Sequence, residues 1–552
     1  MSILKVIPLG GLGEIGMNMM VFEYEDTMFV VDSGLMFPED YMLGVDFVIP
    51  NMDYIRKNRT KAAAVILTHA HEDHIGALPY LLKEINVPVF GSPFTLGLVR
   101  HKLEELELFS GVALHEVDAG EKLRLGPFEI EFIHVGHSVV DGYGLAINTP
   151  CGLLVHTGDY KIGYDAAGGM TTDLNKFAAC GEKGVLALLS DSTNVEKEGY
   201  TISDKEISRT LDRIITDHHG RIIIALFASN VARIQMIVDI ARMQSKKIVF
   251  DGRSIEVSVK IARSLGHLSI PEKMEINIEQ VSDYPDDEVI IITTGSQGEP
   301  MSALARMASG IHKQIKIKTG DTVILSSKFI PGNEKAIGKI INNLYRKGAD
   351  VIYEKISEIH VSGHAFREEL KLMIHLTKPA YFIPIHGEYR HLFLHARLAK
   401  DVGIAEDKIL LAENGQIIEF AKTTGGRITG SVLTGRVLID GKGVGDVGRS
   451  VLRERRALSE EGLVAVTMAF DEETGIIIYG PEIVSRGFVF ETETGHLLAD
   501  AQCVILEVVE EIAPDVPHRV DRIRARVQTA LRQYFFFTIG RRPVILPFIM
   551  EV

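Results

Sequence analysis

The sequence predicts an α/β protein of several domains, and three observations support this fold class. The chain has 552 residues, which is too long for one ordinary domain. Short and almost wholly apolar segments recur along roughly the first 200 residues, as expected for strands that are covered on both faces. From about residue 205 such strands alternate with helical segments, a pattern typical of a parallel α/β unit.

The amino-acid composition indicates what kind of protein this is and in which compartment it would act. Hydrophobic residues make up 46% of the chain and charged residues 24%, as in soluble globular proteins. No apolar run reaches the roughly 18 residues that cross a bilayer, and the amino terminus lacks the features of a signal peptide. Three scattered cysteines (Cys151, Cys180 and Cys503) suit neither a disulfide framework nor a thiolate zinc site. We therefore expect a cytoplasmic protein that is not associated with a membrane.

The net charge of −15 by itself argues against a polyanionic partner, because proteins that bind nucleic acids usually carry a basic balance. Overall charge says nothing about one groove, however, and bound metal ions can reverse the sign of a site. A nucleic acid therefore stays among the possible substrates.

The first part of the chain is predicted to consist of short strands, glycine-rich turns and few helices. The predicted strands cover residues 4–8, 19–24, 27–32, 63–68, 88–91, 129–134 and 152–157. Gly11, Gly13 and Gly16 have the G-x-G-x-x-G spacing of a dinucleotide-binding loop, but that loop must lead into a helix. The following "MNMMVFEY" predicts a strand, so we interpret the glycines as a turn beside the active site.

Helices become frequent after residue 203. Ser203, Glu206 and Gly220 mark the start and end of a predicted helix, and the α/β alternation then continues to about residue 360. A helix, a strand and a histidine-bearing loop follow. Residues 449–461 predict a charged helical linker, and the terminal segment predicts two strands, helices at 497–512 and 519–536, and a last strand. That order is typical of a small α+β domain.

The segment "LTHAHEDHIG" (67–76) directly follows an apolar strand and carries the strongest functional signal. His69 and His71 alternate, so an extended backbone directs both to one side. Asp73 and His74 then fall at the following turn and helix start. This loop can therefore supply ligands to more than one metal ion.

Further ionisable residues stand at the ends of other predicted strands. These are Asp32, His137, Asp159 and His386. Imidazole and carboxylate ligands suit Zn²⁺ or Mn²⁺. Two such ions, roughly 3.5–4 Å apart, lower the pKa of water to about 7 and polarise a phosphoryl group from both sides.

This pattern resembles the five motifs of the metallo-β-lactamase fold, which implies an αββα sandwich. By the resemblance, two divalent ions are expected, with zinc preferred and manganese open. One ion would be held by His69, His71 and His137, and the other by Asp73, His74 and His386. Asp159 would bridge the ions, and Asp32 would orient ligands.

Asp159 and His386 lie 227 positions apart, which leaves room for the α/β unit as an inserted domain. That insertion is similar to the β-CASP group of nucleic-acid-processing enzymes. "LLSDSTN" places Asp191, and "VSGHA" places His364, at positions that match this group's motifs. "PLGGLGEIGMN", "TTGSQGEP" and "IPIHGEYRHL" narrow the resemblance to the ribonuclease J family, over nearly the whole chain.

The resemblance, together with the pattern above, implies a domain organisation. The metallo-β-lactamase domain would comprise residues 1–205 and 364–448, and the inserted β-CASP domain residues 206–363. Residues 449–461 would form the linker and 462–552 the C-terminal α+β domain. A homodimer or homotetramer is expected, with partners in RNA decay as a further possibility.

The implied activity is hydrolysis of RNA phosphodiesters during RNA decay and maturation, as a 5′→3′ exonuclease that prefers a 5′-monophosphate and as an endonuclease. Asp73 would serve catalysis as well as metal binding. His364 would protonate the leaving 3′ oxygen or position the scissile phosphate, with Asp191 as its partner. The 5′-phosphate would be bound by Ser229, Asn230, Ser362, Gly363, His364 and Ala365. Two segments depart from the family pattern, and neither departure removes a metal ligand. Phe366 follows "SGHA" where the family often has serine, which bears on base stacking and on the phosphate pocket. At His137 the chain reads "HSVVDGYG" where the family commonly has "HSxPDS".

Three other interpretations remain open at the level of sequence. One is a small-molecule metallohydrolase of the same fold, such as a lactonase or thioesterase, against which the insertion and the pair Asp191 and His364 argue. Another is a non-catalytic subunit of an RNA-decay complex, against which the complete ligand set argues. A third is a DNA-directed nuclease, since recognition of the 2′-hydroxyl is not visible in a sequence.

Overall fold

The computed structural model describes residues 2–108, 111–163, 171–297, 299, 301–327, 333–353, 362–422, 425–441, 443–489, 496–514 and 516–552. The chain divides into two compact units. The larger comprises Met1–Phe37 and Val48–Val437, and the smaller comprises Pro38–Phe47 and Leu438–Val552. Within the described ranges, every helix is too short or too polar to cross a bilayer.

The amino-terminal segment is rich in strands. Its strands are β1 (Leu4–Gly10), β2 (Leu12–Gly13), β3 (Met19–Tyr24), β4 (Thr27–Val31), β5 (Phe47–Pro50), β6 (Ala62–Ile66), β7 (Val89–Gly91), β8 (Leu114–Glu116), β9 (Lys122–Leu125), β10 (Phe128–Val135), β11 (Gly142–Thr149), β12 (Gly152–His156) and β13 (Val185–Asp191). Its α-helices are α1 (Asp53–Lys57), α2 (Glu72–Ile75), α3 (Leu78–Glu84), α4 (Pro93–Glu105) and α5 (Leu174–Lys183).

The central segment alternates helices and strands, and the chain then returns to the first sheets. The central elements are α6 (Asp204–Asp217), β14 (Ile222–Ala225), α7 (Val231–Met243), β15 (Lys247–Asp251), α8 (Arg253–Ser264), β16 (Val289–Thr293), α9 (Ala303–Ser309), β17 (Thr322–Leu325), α10 (Glu334–Arg346) and β18 (Asp350–Ile352). The returning elements are α11 (Arg367–Thr377), β19 (Tyr381–Ile385), β20 (Gly387–Glu388), α12 (Tyr389–Asp401), β21 (Gln416–Ala421) and β22 (Gly425–Ser431). Two short strands that pair with each other follow, β23 (Arg436–Asp440) and β24 (Gly443–Val444).

Two sheets lie face to face in the larger unit. Among the described residues, one has the strand order β22-β21-β1-β3-β4-β6-β7-β8 and the other β19-β13-β12-β11-β10-β9. Their inner faces share one apolar core, in which Phe29 stacks on Phe22 of its own sheet at 5.1 Å and meets Phe128 of the other sheet edge-on at 5.0 Å. Helices α5, α11 and α12 bury their apolar sides against the outer face of the second sheet. This is the sandwich that the sequence predicts.

The inserted α/β unit has a parallel sheet in the order β15-β16-β14-β17-β18. Successive isoleucines of β14 point to opposite faces, with Ile222 and Ile224 in one core and Ile223 in the other. Helices α6, α7 and α8 cover the first face, and α9 and α10 cover the second. Apolar side chains on both faces explain why these strands are apolar almost throughout.

Several sequence predictions at the level of elements are confirmed. Ser203 and Glu206 form the predicted capping box at the start of α6, although the helix ends at Asp217, before Gly220. The glycine-rich loop leads into strand β3, so the helix that a dinucleotide site requires is not there. The prediction of few helices before residue 200 is wrong for α4 and α5, whose amino termini carry ordinary capping residues, Ser92 and Asp173.

The smaller unit pairs a sheet with two long helices. Its elements after the helix α13 (Arg449–Glu461) are β25 (Leu463–Phe470), β26 (Ile477–Arg486), α14 (Leu497–Glu510), α15 (Arg519–Ile539) and β27 (Val544–Glu551). The sheet has the order β26-β25-β27, and every second residue of β25 is buried in the core against α14 and α15. The predicted helix at 449–461 and the predicted order of strands and helices after it are confirmed, and the role of this helix as a linker stays a prediction. The exact domain boundaries stay predictions.

Candidate metal centre

The first three histidines converge on one point. His69 and His71 follow β6, and His137 follows β10. His69 Nε2 lies 3.0 Å from His71 Nδ1, which lies 3.2 Å from His137 Nε2. Ligands about 2.0–2.1 Å from one tetrahedral zinc ion stand roughly 3.3 Å apart, so this spacing suits a shared cation.

A second group of donors lies beside the first. Asp73 and His74 occupy the short helix α2, and His386 follows β19. Asp73 Oδ2 is 3.6 Å from His74 Nε2 and 3.4 Å from His386 Nε2. These three residues and the three histidines of the first group are the two sets that the sequence predicts, and each set is brought together.

Asp159 lies between the two groups. Its Oδ2 is 3.3 Å from His74 Nε2 and 3.5 Å from His386 Nε2 on one side. On the other side, the same oxygen is 3.7 Å from His69 Nε2 and 3.9 Å from His137 Nε2. One carboxylate oxygen is therefore within reach of both groups, as a bridging ligand must be.

Three of the histidines are held in the tautomer that a metal ligand needs. Each donates its Nδ1–H to a neighbouring oxygen and so leaves the Nε2 lone pair for a cation. The acceptors are Asp32 Oδ2 for His74 (2.8 Å), Gly363 O for His137 (2.6 Å) and Thr193 Oγ1 for His386 (2.7 Å). Nε2 of His386 is buried and has no hydrogen-bond partner among the described residues. This donor set fits divalent metal ions.

The electrostatics of the cluster also favour a cation. Burial lowers the pKa of His71 to about 4 and holds the pKa values of His69 and His137 well below the ordinary range, so these ligands are neutral. Burial also lowers the pKa of His386. The carboxylates of Asp159 and Asp73 have a larger, opposite effect and raise this pKa to about 9. The carboxylates thus attract positive charge to this position.

Asp191 and His364 form a pair next to both groups of ligands. His364 Nδ1 lies 2.8 Å from Asp191 Oδ2, while Asp191 Oδ1 accepts hydrogen bonds from the backbone and hydroxyl of Thr193. The ring of His364 is 5.0 Å from that of His137 and 5.4 Å from that of His386. Its side chain is 20% exposed whereas Asp191 is buried, so His364 can meet a substrate and Asp191 can orient it.

The loop "FASN" (227–230) lies beside the first group of ligands. The Phe227 ring is 6.5 Å from the His71 ring. Asn230 caps α7, where its Oδ1 accepts a hydrogen bond from Arg233 N at 3.1 Å. Ser229 is partly exposed. The loop therefore reaches the cluster through Phe227, and the oxygen of the predicted phosphate-binding residue Asn230 already serves the helix cap.

The loop "SGHA" (362–365) touches the cluster directly. Gly363 must be glycine, because a Cβ there would lie 2.5 Å from His137 Cε1. Ser362 Oγ accepts hydrogen bonds from Asn194 Nδ2 and His364 N. The methyl group of Ala365 is buried in the core, so its backbone is the part that a phosphate could meet.

The two segments that depart from the family pattern contact neighbouring parts of the protein. Phe366 donates its backbone N–H to Glu369 Oε2 at 2.7 Å, and Lys197 Nζ lies 5.1 Å from the centre of its ring. Asp141, in the segment after His137, lies 2.7 Å from His267 Nε2 of the inserted unit. The bond to Glu369 uses the Phe366 backbone and does not depend on the side chain, whose own contact is the one with Lys197. Asp141 is common to the family pattern and this chain, and it joins this segment to the inserted unit.

Sequence reasoning missed residues that position the ligands. Thr193 orients His386, and Thr68 Oγ1 donates to Asp32 Oδ2 at 2.8 Å. Asn18 Nδ2 donates to the carbonyl oxygen of Asp73 at 3.1 Å. The others missed are Asn194, bonded to the carbonyl oxygen of His364, and His156, which lines a small cavity with Asp159. Thr193 could have been found from its place two residues after Asp191, but the remaining residues carry no distinctive local signal.

The glycine-rich loop braces a strained ligand. His386 has φ of +54°, in the left-handed region that is uncommon for residues other than glycine. The two-residue strand β2 pairs in parallel with β20, immediately after His386, with Leu12 opposite Gly387. The glycines therefore allow a close backbone approach that holds this ligand in place.

Four sequence profiles match successive parts of the chain. Residues 12–164 match "Metallo-beta-lactamase superfamily", and residues 219–344 match "Ribonuclease J, beta-CASP domain". Residues 348–409 match "Zn-dependent metallo-hydrolase RNA specificity domain", and residues 450–552 match "Ribonuclease J C-terminal domain". Together they support metal binding and RNA binding.

Curated relatives match over the full length. Ribonuclease J 1 of Streptococcus pyogenes is 41% identical over 545 residues, covering 99% of this chain and 97% of that protein. Ribonuclease J of Thermus thermophilus is 42% identical over 555 residues, covering 99% of this chain and 95% of that protein. Ribonuclease J2 of Bacillus subtilis is 40% identical over 548 residues, with coverages of 99% and 98%.

A solved structure of a protein of unknown function from Enterococcus faecalis V583 has the same fold over 76% of this chain and 100% of its own, with a TM-score of 0.53 at 16% identity. The fold, the cluster of metal ligands and the full-length relatives all indicate the same family. The chain belongs to the ribonuclease J family and is a metal-dependent ribonuclease.

Proposed function

We propose that the chain degrades RNA from its 5′ end, prefers a 5′-monophosphate, and also cuts RNA internally, in RNA decay and maturation. The observation that carries this proposal is the closeness to the ligand cluster of two loops that we expect to bind a phosphate. Phe227 of one loop stands beside His71, and Gly363 of the other bonds to His137. A phosphate held by these loops would place the first phosphodiester next to the cluster.

Seven residues would hold two divalent ions, with zinc preferred to manganese: His69, His71, Asp73, His74, His137, Asp159 and His386. When bound, the ions would lower the pKa of water and offset the charge of a phosphoryl group. Asp32 would keep His74 oriented through the 2.8 Å bond. Asp73 would serve catalysis as well as metal binding, because its side chain is 29% exposed and so lies on the side of the cluster that a substrate can reach.

His364 would supply the proton for the leaving group. Its Nδ1–H bonds to Asp191, which stabilises the protonated ring. The proton on Nε2 would then pass to the 3′ oxygen as the P–O bond breaks, so that no free alkoxide forms. The exposure of this side chain, unlike that of Asp191, supports the division of roles.

The 5′-phosphate pocket would be formed by the two loops. The dipole of α7 favours an anion at its start, although the N–H groups of Asn230, Val231 and Arg233 already bond to acceptors within the loop. Ser229, Asn230, Ser362, Gly363, His364 and Ala365 would contribute hydroxyl groups, a ring nitrogen and backbone N–H groups.

The test is the degradation of body-labelled single-stranded RNA with a 5′-monophosphate or a 5′-triphosphate, in Zn²⁺ or Mn²⁺. We expect mononucleotides, mainly from the monophosphate RNA, and loss of activity in Asp73→Ala. The matched control is Glu72→Ala, which removes the neighbouring carboxylate, a surface group that pairs with Lys102. Equal release from both RNAs would contradict the phosphate preference. No cleavage at full metal occupancy would instead favour a small-molecule hydrolase or a non-catalytic subunit.

The expected assembly is a homodimer or homotetramer in the cytoplasm. One feature supports association: the face of β27 opposite its core presents Leu546, Phe548 and Met550, which are 41%, 53% and 50% exposed. Light scattering of the purified chain is the test, and a monomer at micromolar concentration would contradict it. Partners in an RNA-decay complex are a further expectation, to be tested by co-purification.

A further inference from the structure

Three charged side chains connect the metal centre to the loop "FASN". Lys161 Nζ lies 2.8 Å from Asp204 Oδ2, and Arg233 Nη2 lies 3.8 Å from Asp204 Oδ1. Lys161 is 8% exposed and Arg233 is 3% exposed. A single carboxylate at the start of α6 thus stands between two cations that are largely removed from water, where ionic interactions are stronger than at the surface.

Lys161 is joined by its backbone to two loops that carry metal ligands. It follows Asp159 by two positions, and its N–H donates to the carbonyl oxygen of Gly136 at 2.7 Å. Thr172 Oγ1 ties the same two segments together, because it donates to Lys161 O and accepts from Gly136 N. A displacement of Lys161 would therefore also displace the segments that carry Asp159 and His137.

Arg233 is joined to the proposed phosphate loop. Its backbone N–H is the donor that Asn230 caps, and its Nη1 donates to Ser326 Oγ at 3.0 Å. Ser326 in turn bonds through its N–H to the carbonyl oxygen of Ala225, the last residue of β14 before the loop. Burial lowers the pKa of Arg233 to about 10, so the guanidinium remains charged at neutral pH.

We propose that Asp204 is a positioning residue that fixes the loop "FASN" relative to the metal centre through Lys161 and Arg233, and thereby sets how strongly a 5′-monophosphate promotes cleavage. The proposal rests on the proposed function. Without the carboxylate, two buried cations would repel each other and move apart. In the proposed function, the segments that they anchor would hold the two ends of the first nucleotide, so the distance between these segments would affect cleavage.

The test compares one RNA sequence bearing a 5′-monophosphate or a 5′-hydroxyl group, cleaved by the full-length protein and by Asp204→Asn. We expect kcat/KM on the monophosphate RNA to fall roughly ten- to a hundredfold, mainly through KM. The fall should be confined to that RNA, and Asp204→Glu should restore part of the loss. The matched control is Asp212→Asn on the same helix, where Gln244 Nε2 bonds to the carboxylate, and this variant should behave as the wild type.

The other outcomes overturn the proposal in distinguishable ways. Unchanged kcat/KM values on both RNAs, or a lower KM for the monophosphate RNA, would mean that Asp204 does not position the loop. An equal loss on both RNAs, or a loss of bound metal measured by elemental analysis, would mean a general structural role. If the wild type cleaves both RNAs equally, the phosphate pocket itself is refuted and the proposal falls with it.

Discussion

At the scale of residues, the centre depends on hydrogen bonds behind the ligands as much as on the ligands. His386 illustrates this, because the Thr193 hydroxyl accepts its Nδ1–H and donates its own proton to Asp191. The hydroxyl therefore couples a metal ligand to the proposed proton-donating pair. Such outer partners typically change metal affinity by about 10- to 100-fold when they are removed.

Thr193→Val should weaken metal binding by about tenfold or more, because the ring of His386 loses the acceptor that fixes its tautomer. Isothermal titration of the metal-free protein with Zn²⁺ gives the affinity. Thr193→Ser keeps the hydroxyl and should bind almost as the wild type does. Equal affinities in wild type and Thr193→Val would show that the backbone strain at His386 suffices to orient the ring.

The residues of the candidate site differ in how far a sequence can predict them. His69, His71 and Asp73 lie close together in one short segment, and Asp159 and His386 directly follow apolar strands. Their residue types and their positions in the sequence therefore both predict metal ligands. Supporting residues such as Thr68 carry no such mark, because a threonine after a strand is ordinary. Their roles depend on contacts between segments that are distant in the chain.

At the scale of elements, parallel strand pairing explains why distant residues meet. Strands β12, β13 and β19 are parallel neighbours in one sheet. Their carboxyl ends therefore lie at the same edge, which brings together Asp159, Asp191 and His386. The glycine-rich loop adds a further strand pair behind His386. The order of the strands was not predictable, because periodicity indicates a strand but not its neighbour.

Helix α6 begins the inserted unit and should depend on its capping box. Ser203→Ala removes the acceptor for the N–H of Glu206 and should lower the free energy of unfolding by about 1 kcal/mol. Urea unfolding followed by circular dichroism measures this change. Ser203→Asp, which restores an oxygen acceptor, is the control. A change of less than a few tenths of a kcal/mol would show that tertiary packing alone fixes the start of this helix.

Helix boundaries were predicted with different success for physical reasons. Helix α6 was predicted because its apolar residues recur on one face and because its start has a capping box. Helix α4 contains Gly97 within an irregular pattern and packs against α8, where a Cβ at this glycine would meet Ile261. The glycine is needed for this contact between two helices, and the periodicity of the local sequence does not reveal such a contact.

At the scale of the whole molecule, the protein has a net charge of −15 although the RNA that it binds is itself a polyanion. The cluster and the two loops would supply cations and N–H donors within one groove, so the overall sign does not decide binding. The inserted unit contacts the sandwich through pairs such as His267 and Asp141, and Arg253 and Glu105. The first of these pairs makes stability depend on pH, because it raises the pKa of His267.

The pair of His267 and Asp141 should make stability fall at alkaline pH. The hydrogen bond to Asp141 raises the pKa of His267 above its ordinary value. A group whose folded-state pKa is raised stabilises fully below its unfolded pKa, about 6.5 for histidine, and loses that contribution as pH rises through the folded pKa. Thermal unfolding should therefore show a larger deficit for His267→Gln at pH 6 than at pH 8.5. A deficit that is the same at both pH values would contradict this.

The measurement that tests the metal-centred nuclease most directly is a parallel titration of bound metal and RNA cleavage in chelator-treated protein. We expect about two equivalents of Zn²⁺ or Mn²⁺ per chain, with cleavage of 5′-monophosphate RNA appearing as the sites fill. Asp159→Ala, which removes the shared oxygen, should lose both. Cleavage by fully stripped protein, or full occupancy in Asp159→Ala with normal cleavage, would contradict a bridged two-metal centre at these residues.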